Sequence, residues 1–146
     1  MQWQIKPFAE LSARELFEIY KIRVAVFVVE QNCAYQEADN EDLRALHLFA
    51  CDECGAVCAY CRIIPHDEYV KIGRVLVAAE ARKGGLGRVL MQRALAETEA
   101  RFAGKPVRIQ AQVYLQAFYE SLGFAVDSAM YEEDGIPHID MYLKSC

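Results

Sequence analysis

A run of glycines and cations follows an apolar stretch in the middle of the chain. Val75, Leu76 and Val77 end a β-branched segment that reads as a short buried strand. Glycine lets a backbone approach a ligand closely, and the first N–H groups of a helix have no internal partner, so the next turn predicts an anion site of the phosphate-binding kind. Its residues are Arg82, Lys83, Gly84, Gly85, Leu86, Gly87 and Arg88.

The helix that must present this turn begins near Gly85 and runs to about Phe102, with an apolar stripe through Leu90 and Ala94. A Walker A loop is excluded because the Gly-Lys-Ser/Thr ending is absent. A dinucleotide fingerprint would need a glycine at Leu90 and an acid in the next strand, Val107–Ala111. On the residues alone, a phosphate-cradling turn and an ordinary strand–helix connection remain.

A second short helix is predicted over 112–122. Tyr114, Leu115, Phe118 and Leu122 mark its apolar side, and Gly123 ends it. Tyr119 is the member of this segment whose hydroxyl could exchange a proton, although its type alone also suits a core aromatic.

These two segments together resemble a known family. Val75-x-Val77 followed by Arg82-x-x-Gly85-x-Gly87 resembles motif A of the GCN5-related N-acetyltransferase (GNAT) family, and Ala117–Phe124 looks like its motif B. The segments Phe27–Cys33, Tyr35–Glu37 and Tyr131–His138 are similar to ElaA-like acyltransferases, so the resemblance covers essentially the whole chain. The asparagine that many members carry at the start of the motif B helix is not evident here.

The resemblance implies a single α/β domain, 1–146, with a GNAT fold: a mixed, mostly antiparallel sheet flanked by helices. It implies that the strands at Val75–Val77 and Val107–Ala111 splay apart to admit the pantetheine arm of acetyl-CoA, the acyl donor. The turn from Arg82 to Arg88 would hold the coenzyme pyrophosphate, and N–H groups of the first strand would polarise the thioester carbonyl. A primary amine would attack it in a ternary complex, and Tyr119 would protonate the departing thiolate.

The group that accepts the amine proton is open between His138, His47 and Glu30. Histidine titrates near neutral pH, and His138 opens a final strand after the turn-like Gly135-Ile136-Pro137. His47 lies inside an apolar strand. Glu30 begins an acidic segment that extends to Asp42, which is interpreted as a solvated loop, with electrostatic guidance of a cationic amine as the alternative.

The elements that position these residues follow from periodicity. A helix is predicted from the capping-box spacing Ser12-x-x-Glu15, extending to about Val29 as two helices or one kinked helix. Strands are predicted at Trp3–Lys6, Leu46–Cys51, Ala56–Ile64, Tyr69–Val77 and Val107–Ala111, with two more at the end of the chain.

Cysteines could signal a metal, but the spacing argues against one. Cys51-x-x-Cys54 and Cys58-x-x-Cys61 lie in a predicted hairpin, and zinc ribbons separate such pairs by about 15–20 residues. Positions three apart on a strand face opposite sides, so Cys58 and Cys61 are not expected to share an ion. No metal is predicted, and acyl-cysteine catalysis at Cys33 or Cys146 is a minor alternative.

Composition and net charge limit the classes of partner that we expect this protein to bind. The chain has 146 residues, of which 54% are hydrophobic, and a net charge of −5, which disfavours nucleic acid as a partner. Its longest apolar run, Val24–Val29, is far shorter than the ~20 residues of a membrane span, and its N-terminus lacks a signal-peptide pattern, so a cytoplasmic location is expected. We expect acetyl-CoA and an amine-bearing small molecule or peptide as partners. Exposed edge strands would allow a homodimer, while an inactive acyl-CoA-binding regulator and a structural protein with an empty glycine turn are the alternatives.

Overall fold

The computed structural model describes residues 1–144 and is built on one mixed sheet. Its strands lie in the order β1-β2-β3-β4-β5-β8-β6, with β7 paired to β8, and only β4 and β5 run parallel among the described pairings. This confirms the mixed, mostly antiparallel sheet. The strands are β1 (Gln2–Pro7), β2 (Leu46–Cys51), β3 (Val57–Pro65), β4 (Val70–Val77), β5 (Val107–Gln112), β6 (Ala125–Val126), β7 (Tyr131–Glu133) and β8 (Ile136–Leu143).

The parallel pair β4–β5 separates soon after it forms. Only Val70 with Val107 and Lys71 with Arg108 stand in register, although both strands continue for several residues. On its other edge β5 pairs with β8 along its whole length, from Val107 opposite Leu143 to Gln112 opposite His138. The splayed strand pair expected from the family resemblance is therefore present, and its wedge opens toward the carboxyl ends of β4 and β5.

Strand β4 contains a bulge at the position where the wedge opens. Arg62 of β3 is opposite Gly73, but Tyr60 is opposite Leu76, so Arg74 and Val75 together face one residue of β3. Arg74 has φ +51°, in the left-handed region that residues with a Cβ rarely adopt. The bulge reverses the strand faces, because Ile72 and Leu76 lie in different apolar clusters although they are an even number of positions apart.

Two layers of helix cover the sheet. The helices are α1 (Ala13–Arg23), α2 (Leu86–Arg101) and α3 (Gln116–Glu120), with 3₁₀ turns at Phe8–Glu10, Asn40–Leu43, Ala79–Gly84 and Val113–Leu115. The predicted capping box is present: Glu15 N–H donates to Ser12 Oγ and Ser12 N–H to the Glu15 carboxylate. Of the helices within residues 1–144, none has both the length and the apolar character needed to cross a bilayer.

Helix α1 does not end before the acidic segment but widens into a π-helix at Val24–Glu30. The Gln31 N–H bonds the Val26 carbonyl and the Cys33 N–H bonds the Val28 carbonyl, five residues back in each case. The sequence allowed either two helices or one kinked helix in this region. The structure has one continuous helix whose second part is a π-helix.

The two faces of the sheet bury separate clusters. On one face, Leu90, Met91 and Ala94 of α2 pack into the larger cluster with Ile109 and Met141. Full burial of a leucine or methionine side chain stabilises by about 1.5–3 kcal/mol, so the predicted stripe is what holds the glycine turn against the sheet. On the other face, α1 contributes Ile19 to a smaller cluster; its buried members are Ile19, Val26, Phe27, Phe49, Val57, Tyr60 and Leu76.

Several predictions at the level of elements were wrong. The chain ends in three described strands instead of two, and β8 already begins at Ile136, so His138 lies inside it. The turn is made by Asp134 and Gly135, both with positive φ. Tyr114 is 75% exposed and does not pack in the core.

The prediction that Cys58 and Cys61 face opposite sides of the sheet was also wrong. Cys58 is the extra residue of a bulge in β3, since Ala50 is opposite Ala59 and Cys51 is opposite Val57. Cys58 and Cys61 consequently belong to the same apolar cluster.

Candidate active site

The glycine turn has the geometry of an open helix N-terminus. A 3₁₀ turn leads to Gly85, which caps α2 with φ +72°, a conformation that favours glycine. The first N–H groups of this 16-residue helix point out of the cap. A Cβ built on Gly84 meets nothing within 4 Å, so the turn faces open space. The turn can accept an anion from its outer side.

Gly87 and Arg88 connect the turn to the predicted motif B. A Cβ on Gly87 would lie 3.7 Å from Val77 Cγ2 and 3.9 Å from Phe118 Cζ. Arg88 donates to Ser121 Oγ at 2.7 Å, and its guanidinium lies 5.5 Å from the centre of the Phe118 ring. The carboxyl end of β4, the start of α2 and helix α3 thus form one contiguous wall of the wedge.

Arg82, predicted to hold the coenzyme pyrophosphate, and Glu30, a candidate to accept the amine proton, form an ion pair. Arg82 Nε donates to the Val77 carbonyl at 3.0 Å, and its Nη2 donates to Glu30 Oε1 at 2.7 Å. The hydrogen bond from Arg82 lowers the pKa of Glu30. Glu30 therefore stays ionised and paired at neutral pH. Lys83, the next residue of the turn, is exposed.

Tyr119 lies in the same wall and is almost enclosed. It is 5% exposed, with its ring 5.2 Å from Phe118 and 5.9 Å from Phe124, both edge-on. Burial, followed by the nearby Cys61 and Tyr114, raises the pKa of Tyr119 well above its usual value. The phenol remains protonated across the physiological range, as a proton donor must.

Gly123 makes this arrangement of aromatics feasible. It has φ +102°, and a Cβ there would lie 3.1 Å from Leu143 Cδ1, which is tighter than ordinary contact. The turn it forms lets the Phe124 N–H bond the Tyr119 carbonyl at 3.1 Å. The helix stop predicted at Gly123 therefore also returns Phe124 to the Tyr119 ring.

His138 lies on β8 opposite Gln112, the last residue of β5, and one of its ring nitrogens is hydrogen-bonded. Its Nδ1 lies 2.7 Å from the Ile136 carbonyl oxygen. Because a carbonyl only accepts, Nδ1 carries the hydrogen and Nε2 keeps its lone pair. The Tyr131 ring stacks on the imidazole at 6.0 Å, and Gln112 at the end of β5 is its partner across the sheet.

Gln31 and Gln112 form a contact that the sequence analysis missed. Each side-chain amide donates to the other, at 3.4 and 3.3 Å, across 81 positions of the chain. Gln31 follows the π-helix and Gln112 ends β5, so the pair bridges the segment after α1 and the far wall of the wedge. No periodicity or motif joins two glutamines so far apart.

The structure does not bring His47 to the wedge. The side chain is 1% exposed, its Nε2 lies 2.9 Å from the Asp42 carbonyl and its Nδ1 lies 2.7 Å from the Tyr60 hydroxyl. Nε2 must donate to the carbonyl, so Nδ1 accepts from the phenol and both nitrogens are occupied. His47 belongs to the interior on the α1 side of the sheet.

The interpretation of the acidic segment as a solvated face was wrong for its most important members. Glu37 is 4% and Asp42 is 1% exposed. Arg23, which is fully buried, donates to both carboxylates, at 2.9 Å to Glu37 Oε1 and 2.8 Å to Asp42 Oδ1. Burial alone would raise the pKa of Asp42, but hydrogen bonds from Arg23 and Arg62 outweigh it and hold that pKa below its usual value.

Cys33 is the described one of the two candidates for acyl-cysteine catalysis. Cys33 is buried and its Sγ donates to the Asp134 carbonyl at 3.4 Å. Cys146 lies outside the described residues. Within residues 1–144, no group of three or more His, Cys, Asp or Glu residues is arranged to hold a metal ion.

Comparison with known proteins agrees with this geometry. The model of the acetyltransferase (GNAT) domain family matches residues 13–145. The chain is 43% identical to a UPF0039 protein of Schizosaccharomyces pombe, over 99% of this chain and 97% of that protein. It is 42% identical to protein ElaA of Escherichia coli, over 97% of this chain and 95% of that protein.

Solved structures show the same architecture. The crystal structure of an acyl-CoA N-acyltransferase from Pseudomonas aeruginosa superposes with a TM-score of 0.93 at 42% identity, covering 98% of this chain and 99% of that one. Escherichia coli ElaA gives 0.94 at 40% identity, with 99% and 100% coverage. An aminoglycoside 6'-N-acetyltransferase complexed with coenzyme A shares the fold, with a TM-score of 0.71 at 13% identity, covering 97% of this chain and 96% of that one. The chain therefore belongs to the GNAT acetyltransferase family, with ElaA among its homologues, and is an N-acetyltransferase.

Proposed function

We propose that the protein moves an acetyl group from acetyl-CoA to a primary amine, by direct attack within a ternary complex. The observation that carries this proposal is the wedge between β4 and β5, which pair only at Val70–Val107 and Lys71–Arg108. Beyond that point the N–H groups of β4 lack strand partners on the β5 side. A thioester arm entering the wedge would meet them.

The turn at the start of α2 is the proposed anchor for the pyrophosphate. Gly84 and Gly85 present backbone without side chains, and the helix N-terminus carries a partial positive charge. Lys83 and Arg88 add two cations on either side. The proposed contacts of the thioester carbonyl are those N–H groups among Val75, Leu76 and Val77 that point to the wedge and not to β3, which would stabilise the negative charge that develops on its oxygen.

The proton transfers are assigned to the two walls of the wedge. The amine nitrogen attacks the carbonyl carbon, the C–S bond breaks, and Tyr119 gives its proton to the departing thiolate. The proton lost by the amine goes to Nε2 of His138, the nitrogen left free by the bond to Ile136. Holding amine and thioester together accounts for much of the rate. Exchange with water restores both side chains.

Calorimetry with coenzyme A and acetyl-CoA tests the anchor. Gly84→Glu is the diagnostic variant, because a side chain there meets nothing within 4 Å and the backbone needs no positive φ. Gly84→Gln is its matched control, with the same size and no charge. We expect binding to both compounds in wild type and Gly84→Gln and a loss of at least tenfold in Gly84→Glu.

Absence of binding in wild-type protein would overturn the proposal. Where binding holds, a panel of amines covering amino acids, polyamines and peptide α-amines is assayed for thiol release and acetylated product. Tight binding without acetylation of any of them would favour the regulator that the sequence left as an alternative.

A further inference from the structure

A salt-bridge cluster under the bulge of β4 joins the acidic segment to the proposed carbonyl-binding strand. Arg74, at the bulge, donates through Nε to Glu37 Oε2 at 2.6 Å and through Nη2 to the Glu37 carbonyl at 3.0 Å. Both the side chain and the backbone of Glu37 are therefore fixed to the one residue of β4 that has a positive φ without being a glycine.

Glu37 is itself held from the other side. Arg23 Nε donates to both carboxylate oxygens, at 2.9 and 3.1 Å, and Arg23 Nη2 donates to the Glu37 carbonyl at 3.2 Å. Arg23 is the last residue of α1 and is fully buried. The Glu37 carboxylate therefore bridges the end of this helix and the bulge of β4. Arg23 and Glu37 are buried, and the low local dielectric strengthens the charged hydrogen bonds between them.

The bulge needs such support. A residue with a Cβ is strained in the left-handed region, so β4 would relax toward regular pairing if nothing held Arg74. Regular pairing of β4 with β3 would remove the bulge and shift the register of Val75 to Val77 by one residue. Their N–H groups would then point to the opposite edge of the strand.

We propose that Glu37 is a positioning residue, which through Arg74 holds the β4 bulge in the geometry that presents its N–H groups to the acyl carbonyl. The inference rests on the proposed function only for what the N–H groups contact. The link from Glu37 to the bulge exists without any ligand.

A closely matched control is available in the same cluster. Asp42 is as deeply buried as Glu37 and binds the same Arg23, but its other arginine partner is Arg62 of β3 instead of Arg74. Asp42→Asn and Glu37→Gln should therefore destabilise to a similar degree, while only Glu37→Gln releases the bulge. Arg74→Gln is the second test variant, because glutamine keeps the Cβ that strains the left-handed backbone and loses the ion pair with Glu37.

The experiment records ¹⁵N backbone amide shifts for residues 73–77, first without ligand and then with saturating coenzyme A or acetyl-CoA. We expect Glu37→Gln to shift these amides in the free protein, and both Glu37→Gln and Arg74→Gln to lose the difference between acetyl-CoA and coenzyme A at residues 76 and 77, whereas Asp42→Asn keeps both patterns. Affinity for coenzyme A itself should stay within about threefold, since the pyrophosphate turn is not in the cluster.

Equal effects of Glu37→Gln and Asp42→Asn on these amides would overturn the inference, because they would mark a general contribution to stability. A difference between acetyl-CoA and coenzyme A that persists at residues 76 and 77 in Arg74→Gln would overturn it as well. Wild-type protein that binds neither coenzyme A nor acetyl-CoA would instead refute the proposed function, and the comparison of the free proteins would still decide the link between Glu37 and the bulge.

Discussion

Glu30 and Arg82 form an ion pair that ties the end of the π-helix to the end of β4. Two nitrogens of the guanidinium face two oxygens of the carboxylate, and the third nitrogen holds the Val77 carbonyl. Arg82 is thus partly neutralised where the pyrophosphate is proposed to bind, and Glu30 is poorly suited to accept a proton because the hydrogen bond from Arg82 lowers its pKa.

Glu30→Gln should tighten the binding of coenzyme A. The pair is about 40% exposed on both sides, and such pairs are worth ~0.2–1 kcal/mol, so releasing the guanidinium toward a phosphate should gain a factor of about 1.4–5 in affinity. Calorimetric titration with coenzyme A at low and moderate salt measures this change in affinity. Glu97→Gln, which breaks the pair of Glu97 with Arg101 on α2, is the control and should leave the affinity unchanged. Weaker binding in Glu30→Gln would mean that Arg82 must be held by Glu30 to serve the coenzyme.

Tyr119→Phe should separate chemistry from binding. The ring contacts with Phe118 and Phe124 persist in the variant, but the proton for the thiolate is lost, so turnover should fall by about 10²–10⁴ while the affinity for acetyl-CoA stays within about threefold. The measurement compares turnover on an accepted amine with calorimetric affinity. Tyr114→Phe removes a hydroxyl from the neighbouring exposed tyrosine and should change neither. Equal turnover in Tyr119→Phe and wild type would remove Tyr119 from the mechanism.

The sequence was sufficient where local pattern and tertiary structure agree. The capping box at Ser12, the apolar stripe of α2 and the turn at Gly85 each follow from rules that act within a few residues, and each is present. The splay of β4 from β5 was available only through the family resemblance, because no periodicity reports where a parallel pair stops.

The parts that could not be predicted depend on contacts distant in sequence. An acidic loop looks the same whether its carboxylates face water or buried arginines, and Arg23 gives no local sign that it will meet Glu37 and Asp42. The left-handed Arg74 lies in a sequence that reads as an uninterrupted strand. The missed cluster and the missed bulge are linked, because Arg74, the left-handed residue of the bulge, donates to Glu37 of the cluster.

Stability should decline at alkaline pH through buried acids that must ionise on unfolding. Burial raises the pKa of the Cys61 thiol, of Tyr60 and of Tyr119 above their values in an unfolded chain. A raised native pKa favours the protonated form, so the stabilisation is complete below the unfolded pKa and is lost as pH rises above about 8.5 for the thiol and about 10 for the phenols. Urea unfolding between pH 7 and 10.5 measures the slope.

Cys61→Ala isolates the thiol contribution. The variant loses packing at every pH, but its stability should fall less steeply than that of wild type between about pH 8.5 and 10, by up to ~1.4 kcal/mol per pH unit. Cys54→Ala is the control, because Cys54 is exposed in the β2–β3 turn. Parallel slopes for Cys61→Ala and wild type would show that the thiol is not the titrating group.

Mild acid should destabilise the fold through His47. Burial lowers the pKa of His47, even though the nearby Asp42 acts to raise it, and the neutral ring is fixed by its bonds to Asp42 and Tyr60. A histidine with a depressed native pKa binds its proton more readily in the unfolded chain. Stability is therefore complete above the unfolded pKa of about 6.5 and is lost as pH falls below it, with a slope of up to ~1.4 kcal/mol per pH unit.

His47→Gln should flatten this loss between about pH 5 and 6.5, while the steeper loss near pH 4 remains, because arginine partners hold the pKa values of Asp39 and Asp42 low. Urea unfolding in steps of half a pH unit resolves the two regions. His66→Gln, at a histidine that contacts Arg44 outside the core, should keep the wild-type slope. If His47→Gln retained that slope as well, the proton taken up in mild acid would have to bind elsewhere, and His47 would not be held neutral by the interior in which it lies.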